Sequence, residues 1–412
     1  MKSFYSIGLR IFQFLIWLGS KRNAKWKELY IGQKYTFKVL ASIPKPLGSR
    51  YWVHCASLGE YEMALPLIEG LLEKDHQSQV LVSFFSPSGF KHAKLPERVF
   101  KTYLPLDRYK LVKRWYKKIN AKAAIFVKYE FWPNFLREAH RLEIPVYFWN
   151  AVFREDHFIN AWWASFWMQG LIPCKQFFTQ NLESTRLATN WGLKATTLGD
   201  SRYLRMKQLR DRQPEIPHSL VQWATNKSIL IAGSSWPEEE AAISSFFQKV
   251  ELADNQRIII VPHDISTEHV VSIIERFPSG AIEPYSIWDG QTDPSILIID
   301  KIGLLSRLYA LANLAIIGGG FGRGLHNTIE PIAAGLPVLF GNIHEKFPEA
   351  QEMILHDIAA DAVNPSELAV LIDSWWNSPE LGQQKRTQVL DFFNDRVPRI
   401  ETALDSIIGL TN

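Results

Sequence analysis

Apolar and polar positions follow two rhythms along this chain. Past residue 50, short continuous apolar runs rich in Val, Ile, Phe and Tyr recur, each followed by a stretch with the spacing of an amphipathic helix. The runs Tyr51–Cys55, Val80–Phe85, Ala123–Val127, Val146–Trp149, Gln176–Thr179 and Thr196–Leu198 predict strands, with helices between them such as Tyr61–Lys74 and Lys110–Ile119. Strands apolar on both faces, alternating with helices, predict a parallel sheet covered on both sides. At Arg210–Ser219, "RDRQPEIPHS", two prolines and four charges break the rhythm and predict a linker. Strands then resume at Ser228–Ala232, Arg257–Val261, Ser295–Ile299, Leu314–Ile317, Pro337–Phe340 and near Ala359. Helices are expected from near Pro237, Thr267, Leu304, Asn327 and Phe347, and from Pro365 to the end.

The expectation is therefore an α/β protein of two Rossmann-like, doubly wound parallel-sheet domains facing a cleft, residues 46–209 and 220–412, joined by a linker at 210–219. Ligands of such sheets sit at the carboxyl ends of the strands.

The first 45 residues behave differently. Ile7–Gly19, "IGLRIFQFLIWLG", is apolar but short of the ~20 residues that span a bilayer. Arg10, Gln13, Trp17 and Lys21 fall on one helical face. Residues 1–50 hold ten Lys/Arg and one acid, Glu28, so this stretch carries +9 while the whole chain carries +4. A basic, amphipathic helix predicts an interfacial segment held on the cytoplasmic face of an anionic (inner) membrane. A core helix of the first domain and a signal sequence are the other readings, the latter without a small-residue cleavage site. Nucleic acid is not expected, because no binding motif accompanies the charge.

Hydrophobic residues at 47% and charged residues at 21% exclude a disordered chain. Two cysteines, Cys55 and Cys174, exclude a disulfide framework. Fifteen tryptophans raise the expectation of contact with lipid, sugar or a partner. The aromatic-dense Phe158–Ile172 fits lipid contact or a buried helix, and the basic helix Asp107–Lys122 fits a solvated face or a phosphate-bearing surface.

Candidate chemistry clusters where predicted strands end. After Cys55, "ASLGE" offers Ser57 as a helix cap, Gly59 for a tight turn and Glu60 at the strand's carboxyl end. Glu60 is either a general base for an acceptor hydroxyl or a first-turn glutamate that complements the helix dipole. Ser88, in "SPSG", opens an anion-holding helix start or an ordinary junction. Glu130, Trp132 and Asn134 offer a sugar contact or core packing. In the second half, Gly233, Ser234 and Ser235 offer backbone amides to a phosphate. The loudest signal is Gly318–Gly341, "GGGFGRGLHNTIEPIAAGLPVLFG", with Gly320, Gly322, Arg323, His326, Asn327 and Glu330. It lacks the G-x-x-x-x-G-K-[ST] order of a P-loop, and it does not follow the first strand as a dinucleotide fingerprint would. Its helix start suits an anion, and Glu330, four positions after His326, suits ribose hydroxyls. No zinc spacing or G-x-S-x-G motif is present, so neither a metal nor a cofactor is expected.

In order, "HCASLGE", "FFSPSG", "YLPLD", "YEFWPN", "PVYFWNA", "LGDSRYLRM", "IAGSSWPEEE", "VPHD", "LYALANLAIIGGG", "HNTIEP" and "GLPVLFG" run through nearly the whole chain. This series resembles the 3-deoxy-D-manno-octulosonic acid (Kdo) transferases, GT-B glycosyltransferases of lipopolysaccharide synthesis. The resemblance implies CMP-Kdo as donor and a hydroxyl of the lipid A precursor (lipid IVA) as acceptor, at the cytoplasmic face of the inner membrane. It implies Glu60 as the base. It matches Glu130 to the family's strand-end glutamate, and Gly233, Ser234, Ser235, His326, Asn327 and Glu330 to the nucleotide half. Two departures stand out. Lys128 occupies the place of a second family acid, and "PHDISTE" replaces an arginine-bearing segment, leaving His263 there and Arg323 as the nearby cation. Those departures keep open a UDP-sugar transferase or a catalytically inactive membrane-bound scaffold of the same fold.

Overall fold

The computed structural model describes residues 2–155, 164–212 and 215–409. Contacts divide the chain into two units, Met1–Arg205 with Val397–Asn412, and Met206–Arg396.

The first unit is built on seven parallel strands. They are β1 (Arg50–Cys55), β2 (Gln79–Phe84), β3 (Val99–Tyr103), β4 (Ala123–Val127), β5 (Val146–Ala151), β6 (Gln176–Thr179) and β7 (Ala195–Thr197), in the order β3-β2-β1-β4-β5-β6-β7. This is doubly wound order, with the direction of winding switching at β1. Side chains alternate across β1. Tyr51, Val53 and Cys55 enter one core with Tyr61, Ile68 and Leu71, while Trp52 enters the other with Trp115, Phe126 and Phe135. Each such buried side chain contributes roughly 1.5–3 kcal/mol. Trp52, Trp115 and Trp149 are fully buried, so these three tryptophans pack against the sheet.

The second unit repeats the plan with β8 (Ser228–Ser235), β9 (Gln256–Pro262), β10 (Ile282–Pro284), β11 (Ile296–Ile298), β12 (Leu314–Ile317), β13 (Val338–Gly341) and β14 (Ala359–Ala362). Their order is β10-β11-β9-β8-β12-β13-β14, all parallel.

Two strands went unanticipated, β3 and β10, and both are edges. Edge strands are half-exposed, and "VFKTY" and "IEP" break the apolar run that marks a central strand. The expected linker 210–219 is helical at both ends, within Ser201–Asp211 and His218–Ala224, and residues 213 and 214 lie outside the described residues. The expected second domain is also corrected at its end. Ile400, Ala403, Leu404 and Ile407 of the closing helix Glu401–Ile408 join the core of the first unit, beside Tyr61 and Ile68.

Two helices precede β1: α1 (Lys2–Gly19) and α2 (Ala24–Ser42). Leu9 and Ile16 face the protein, the Tyr5 hydroxyl donates to Asp107 at 2.7 Å, and Arg108 donates to Gln13 at 2.7 Å. Gln13 thus turns toward the protein and is half-buried. Phe4, Ile7, Ile11, Phe14, Leu15 and Leu18 are exposed, Phe4 at 77%. No helix among the described residues is long and apolar enough to cross a membrane. The basic helix Tyr109–Ile119 buries Val112, Trp115, Tyr116 and Ile119, and its lysines form a solvated face. Of Phe158–Ile172, residues 158–163 lie outside the described residues; Ser165–Leu171 is helical.

Candidate active site

In the first unit, β1 ends at Cys55 and the chain turns into α3 (Leu58–Lys74). Ser57 caps α3, its hydroxyl accepting the Glu60 amide at 3.4 Å, while Ala56 N–H donates to Glu60 Oε2 at 2.5 Å. The second oxygen, Oε1, accepts no hydrogen bond among the described residues. Burial pushes the Glu60 carboxyl up, and the neighbouring Glu130 charge pushes it further; the Ala56 amide, His54 and Lys128 act the other way. A carboxylate poised this way holds a proton more readily than an exposed one, which is what a general base requires. Gly59 differs from expectation. It lies inside α3 without a left-handed φ, so no tight turn requires it, and a β-carbon there would meet nothing within 4 Å.

Around Glu60 the structure gathers residues from three strand ends. The wholly buried His54 places Nδ1 3.0 Å from the Ser83 carbonyl oxygen and Nε2 3.5 Å from Glu130 Oε2. Trp132 Nε1 donates to the same Glu130 oxygen at 2.9 Å. Lys128 follows β4 with φ +60°, a strained backbone for a residue with a β-carbon, and its amide bonds Trp149 O at 2.8 Å. Residues held in such conformations cluster at functional sites. Ser88 lies exposed in α4 (Pro87–His92), whose Gly89 is pressed against the Ser57–Leu58 turn: a β-carbon there would come within 3.0 Å of the Leu58 nitrogen. Asn134 does not join this group. Its amide and side chain are bound to Asp107, which also accepts the Phe135 amide and starts the helix Pro133–Arg141. That buried Asp107 carboxyl is pushed up to about 7 by desolvation.

In the second unit, the glycine-rich stretch follows β12. Gly318 lies so close to β8 that a β-carbon would sit 1.9 Å from Ser234 O, and one on Gly320 would sit 2.4 Å from Gly341 N. These glycines let three strand ends converge. The buried Glu239 ties them together, Oε2 accepting Trp236 N at 2.9 Å and Oε1 accepting Gly319 N at 3.0 Å. Desolvation raises its carboxyl to about 7, against those amides.

Beside this loop lies a stack. The ring of His263, just past β9, is 4.4 Å from that of Trp236 and 4.9 Å from that of His326. Trp236 Nε1 donates to His326 Nε2 at 3.3 Å, and the Arg323 guanidinium lies 5.2 Å over the indole. Burial, then His263, lowers the His326 pKa, which keeps it neutral and an acceptor for the indole N–H. Residues from 236, 263 and 323–326 thus form one surface with a cation over it, suited to an anion or a base.

Ser235 is buried and its hydroxyl donates to Glu240 at 3.1 Å, so that hydroxyl already has a partner. The helix expected from Asn327 begins at Ile329 and has five residues, so His326 and Glu330 share no helical face and the helix supplies little dipole. Asn327, one residue before the cap Thr328, braces the turn into it, accepting Ile329 N at 3.0 Å and donating to Glu330 Oε1 at 2.9 Å. Gly233 supports the fold by passing Tyr309, whose hydroxyl would lie 2.2 Å from a β-carbon there. Ser234 stands in a left-handed conformation, φ +52°, and Gly322 at φ +126° shapes the loop around Arg323.

Sequence reasoning missed His54, Trp236 and Glu239. Their signal was position: His54 is the penultimate residue of β1, and Trp236 and Glu239 stand at the cap and third position of the helix Pro237–Lys249.

Residues 26–205 match the sequence model of the family described as 3-deoxy-D-manno-octulosonic-acid transferase (kdotransferase). A 3-deoxy-D-manno-octulosonic acid transferase of Haemophilus influenzae is 26% identical over 398 residues, covering 92% of this chain and 91% of that protein. A bifunctional glycosyltransferase/methyltransferase of Fusobacterium nucleatum is 21% identical over 78% of this chain, which spans about half, 52%, of that protein's length. Among solved structures, a UDP-GlcNAc 2-epimerase from Neisseria meningitidis superposes with TM-score 0.57 at 11% identity, over 88% of this chain and 100% of that one. That likeness concerns the two-sheet GT-B type of fold alone.

Proposed function

We infer that this chain is a member of the Kdo transferase family, a glycosyltransferase of Kdo acting in lipopolysaccharide synthesis, on the strength of the family match over residues 26–205 and the broad likeness to the Haemophilus influenzae enzyme. Within that activity, the donor is CMP-Kdo and the acceptor a hydroxyl of the lipid A precursor, lipid IVA. The observation that carries the mechanism is Glu60: a carboxylate in the first helical turn after β1, raised in pKa, with Oε1 accepting no hydrogen bond among the described residues.

The reaction is a single inverting displacement. The acceptor oxygen forms a bond to the anomeric carbon of Kdo as the bond from that carbon to the CMP phosphate breaks. The electron pair leaves with CMP, and Glu60 takes the hydroxyl proton. Glu130 and His54 set the charge around that base. On the second unit, Arg323 and the glycine loop receive the departing phosphate, with Trp236, His263 and His326 beneath and Glu330 toward the ribose. The test is incubation with CMP-Kdo and lipid IVA, with products read by mass spectrometry. Acceptor gaining Kdo is the expected result; no product, together with thermal stabilisation by UDP and not CMP, overturns the reading.

The same reading puts the chain on the cytoplasmic face of the inner membrane. The exposed residues of α1 supply an apolar face, and Lys21, Arg22, Lys25 and Lys27 a basic flank. Co-sedimentation with vesicles rich in phosphatidylglycerol is expected at low salt. It should weaken in Ile11→Asp/Leu15→Asp, and with rising salt as the ~10 Å Debye length at 0.1 M shortens. Equal sedimentation of wild type and variant would refute the anchor.

A further inference from the structure

A groove of about 500 Å³ opens between α2, α4 and β3, a size typical of small-ligand sites at ~300–1,000 Å³. Its lining is mainly apolar: Ile31, Tyr35 and Val39 from α2, with Phe90 and Tyr103, whose rings stack at 4.4 Å. Gly32 brings α2 down onto the strand, since a β-carbon there would meet the Tyr103 ring at 2.2 Å.

The groove has two distinct ends. At one, Ile31 and Tyr35 are 42% and 47% exposed on the helix that packs against α1, whose outer face is apolar. At the other is α4, whose Gly89 abuts the turn that caps α3 and carries Glu60. Lys91 and Lys101 give the lining two cations against one acid, Glu28. Lys101 Nζ lies 5.1 Å over the Phe90 ring and donates to Ala93 O at 3.1 Å. Burial lowers the Lys101 pKa, so an anion that neutralised it would relieve that cost.

We propose that this groove holds one acyl chain of the phosphorylated glycolipid acceptor, with an acceptor phosphate on Lys91 and Lys101. The apolar wall excludes a free sugar phosphate as the whole ligand, and the lysines distinguish an anionic lipid from a neutral one. The groove thereby extends the acceptor site from Glu60 toward the lipid surface. This inference rests on the reading of the chain as a transferase acting on an acylated acceptor.

The test is photolabelling of the full chain in nonionic detergent, using lipid IVA with a diazirine at the tip of one acyl chain. Labelled peptides are expected to contain residues 31–39 and 90–103. Ile31→Trp, which fills the groove, should remove that label and raise KM for lipid IVA about tenfold. Its KM for CMP-Kdo and its rate on a deacylated acceptor should stay as in wild type. Labelling confined to α1, or an unchanged KM in a folded Ile31→Trp protein, overturns the proposal. Should that variant not fold, the wild-type labelling map decides. Groove labelling by a protein that transfers no Kdo would instead sink the functional reading and leave the lipid site standing.

Discussion

Glu60→Gln is expected to fold, to bind CMP as wild type does, and to lose transfer activity by ~10²–10⁴-fold, the range of one positioned general base. Glutamine keeps the shape and can still accept the Ala56 amide through its carbonyl oxygen. It keeps no site for the acceptor's proton. If Glu60 served only the dipole of α3, the change would cost ~0.3–1 kcal/mol of stability and leave turnover nearly normal. Kinetics therefore separate the two roles, and near-normal kcat removes Glu60 as the base.

The pH dependence follows with a definite sign. The folded pKa lies above the ordinary glutamate value, so between those two values the folded state binds more protons than the unfolded one. Wild-type stability contributed by Glu60 falls as pH rises through that window, and Glu60→Gln should be spared the fall. The rate moves oppositely: it drops as pH falls through the raised pKa, because the base protonates. Denaturation midpoints and kcat measured from pH 5 to 8 test both.

Gly320→Ala is expected to cost ~1–3 kcal/mol and to abolish the thermal shift produced by CMP. Its β-carbon would meet Gly341 N, O and Cα at 2.4, 2.6 and 2.8 Å, all main chain, so no side chain can swing aside. The Gly320 carbonyl also accepts Ile343 N at 2.8 Å, so the clash moves the exit of β13 as well as the loop. Gly382→Ala, in the helix Pro379–Arg396 and facing open space, is the control, and should stabilise by ~0.5–1 kcal/mol. A Gly320→Ala protein that melts with wild type and still responds to CMP would show that the close approach is dispensable.

How far the sequence carries can be judged from particular elements. The central strands β1, β4, β8 and β9 are buried on both faces, and a continuous apolar run announces them. The strands β3 and β10 do not announce themselves, because Lys101 and Thr102 interrupt the first and the second is only three residues long. Glu60 was legible as a strand-end carboxylate. Its coupling to Glu130 and His54 was not, since pairing of β1 with β4 brings residues about 70 positions apart side by side. In the second unit the glycines were loud, but the hydrogen bonds that hold the neighbouring turns were not legible. Ser235 binds Glu240 and Asn327 binds Glu330. Small polar residues in a turn look alike in sequence whether they serve the backbone or a phosphate. The Trp236–His263–His326 stack joins three strand-end segments, and only tertiary structure assembles it.

The closing helix Glu401–Ile408 sets an order of events during synthesis. Its Leu404 and Ile407 complete the core around Tyr61 and Ile68, which left the ribosome more than three hundred residues earlier. The first unit must wait, with an apolar surface uncovered, while Met206–Arg396 emerges and folds as a continuous piece. The later-made half is thus able to finish first, and a chain cut just after Arg396 would present a complete second unit and a first one lacking its closing helix to the proteases and chaperones of the cell.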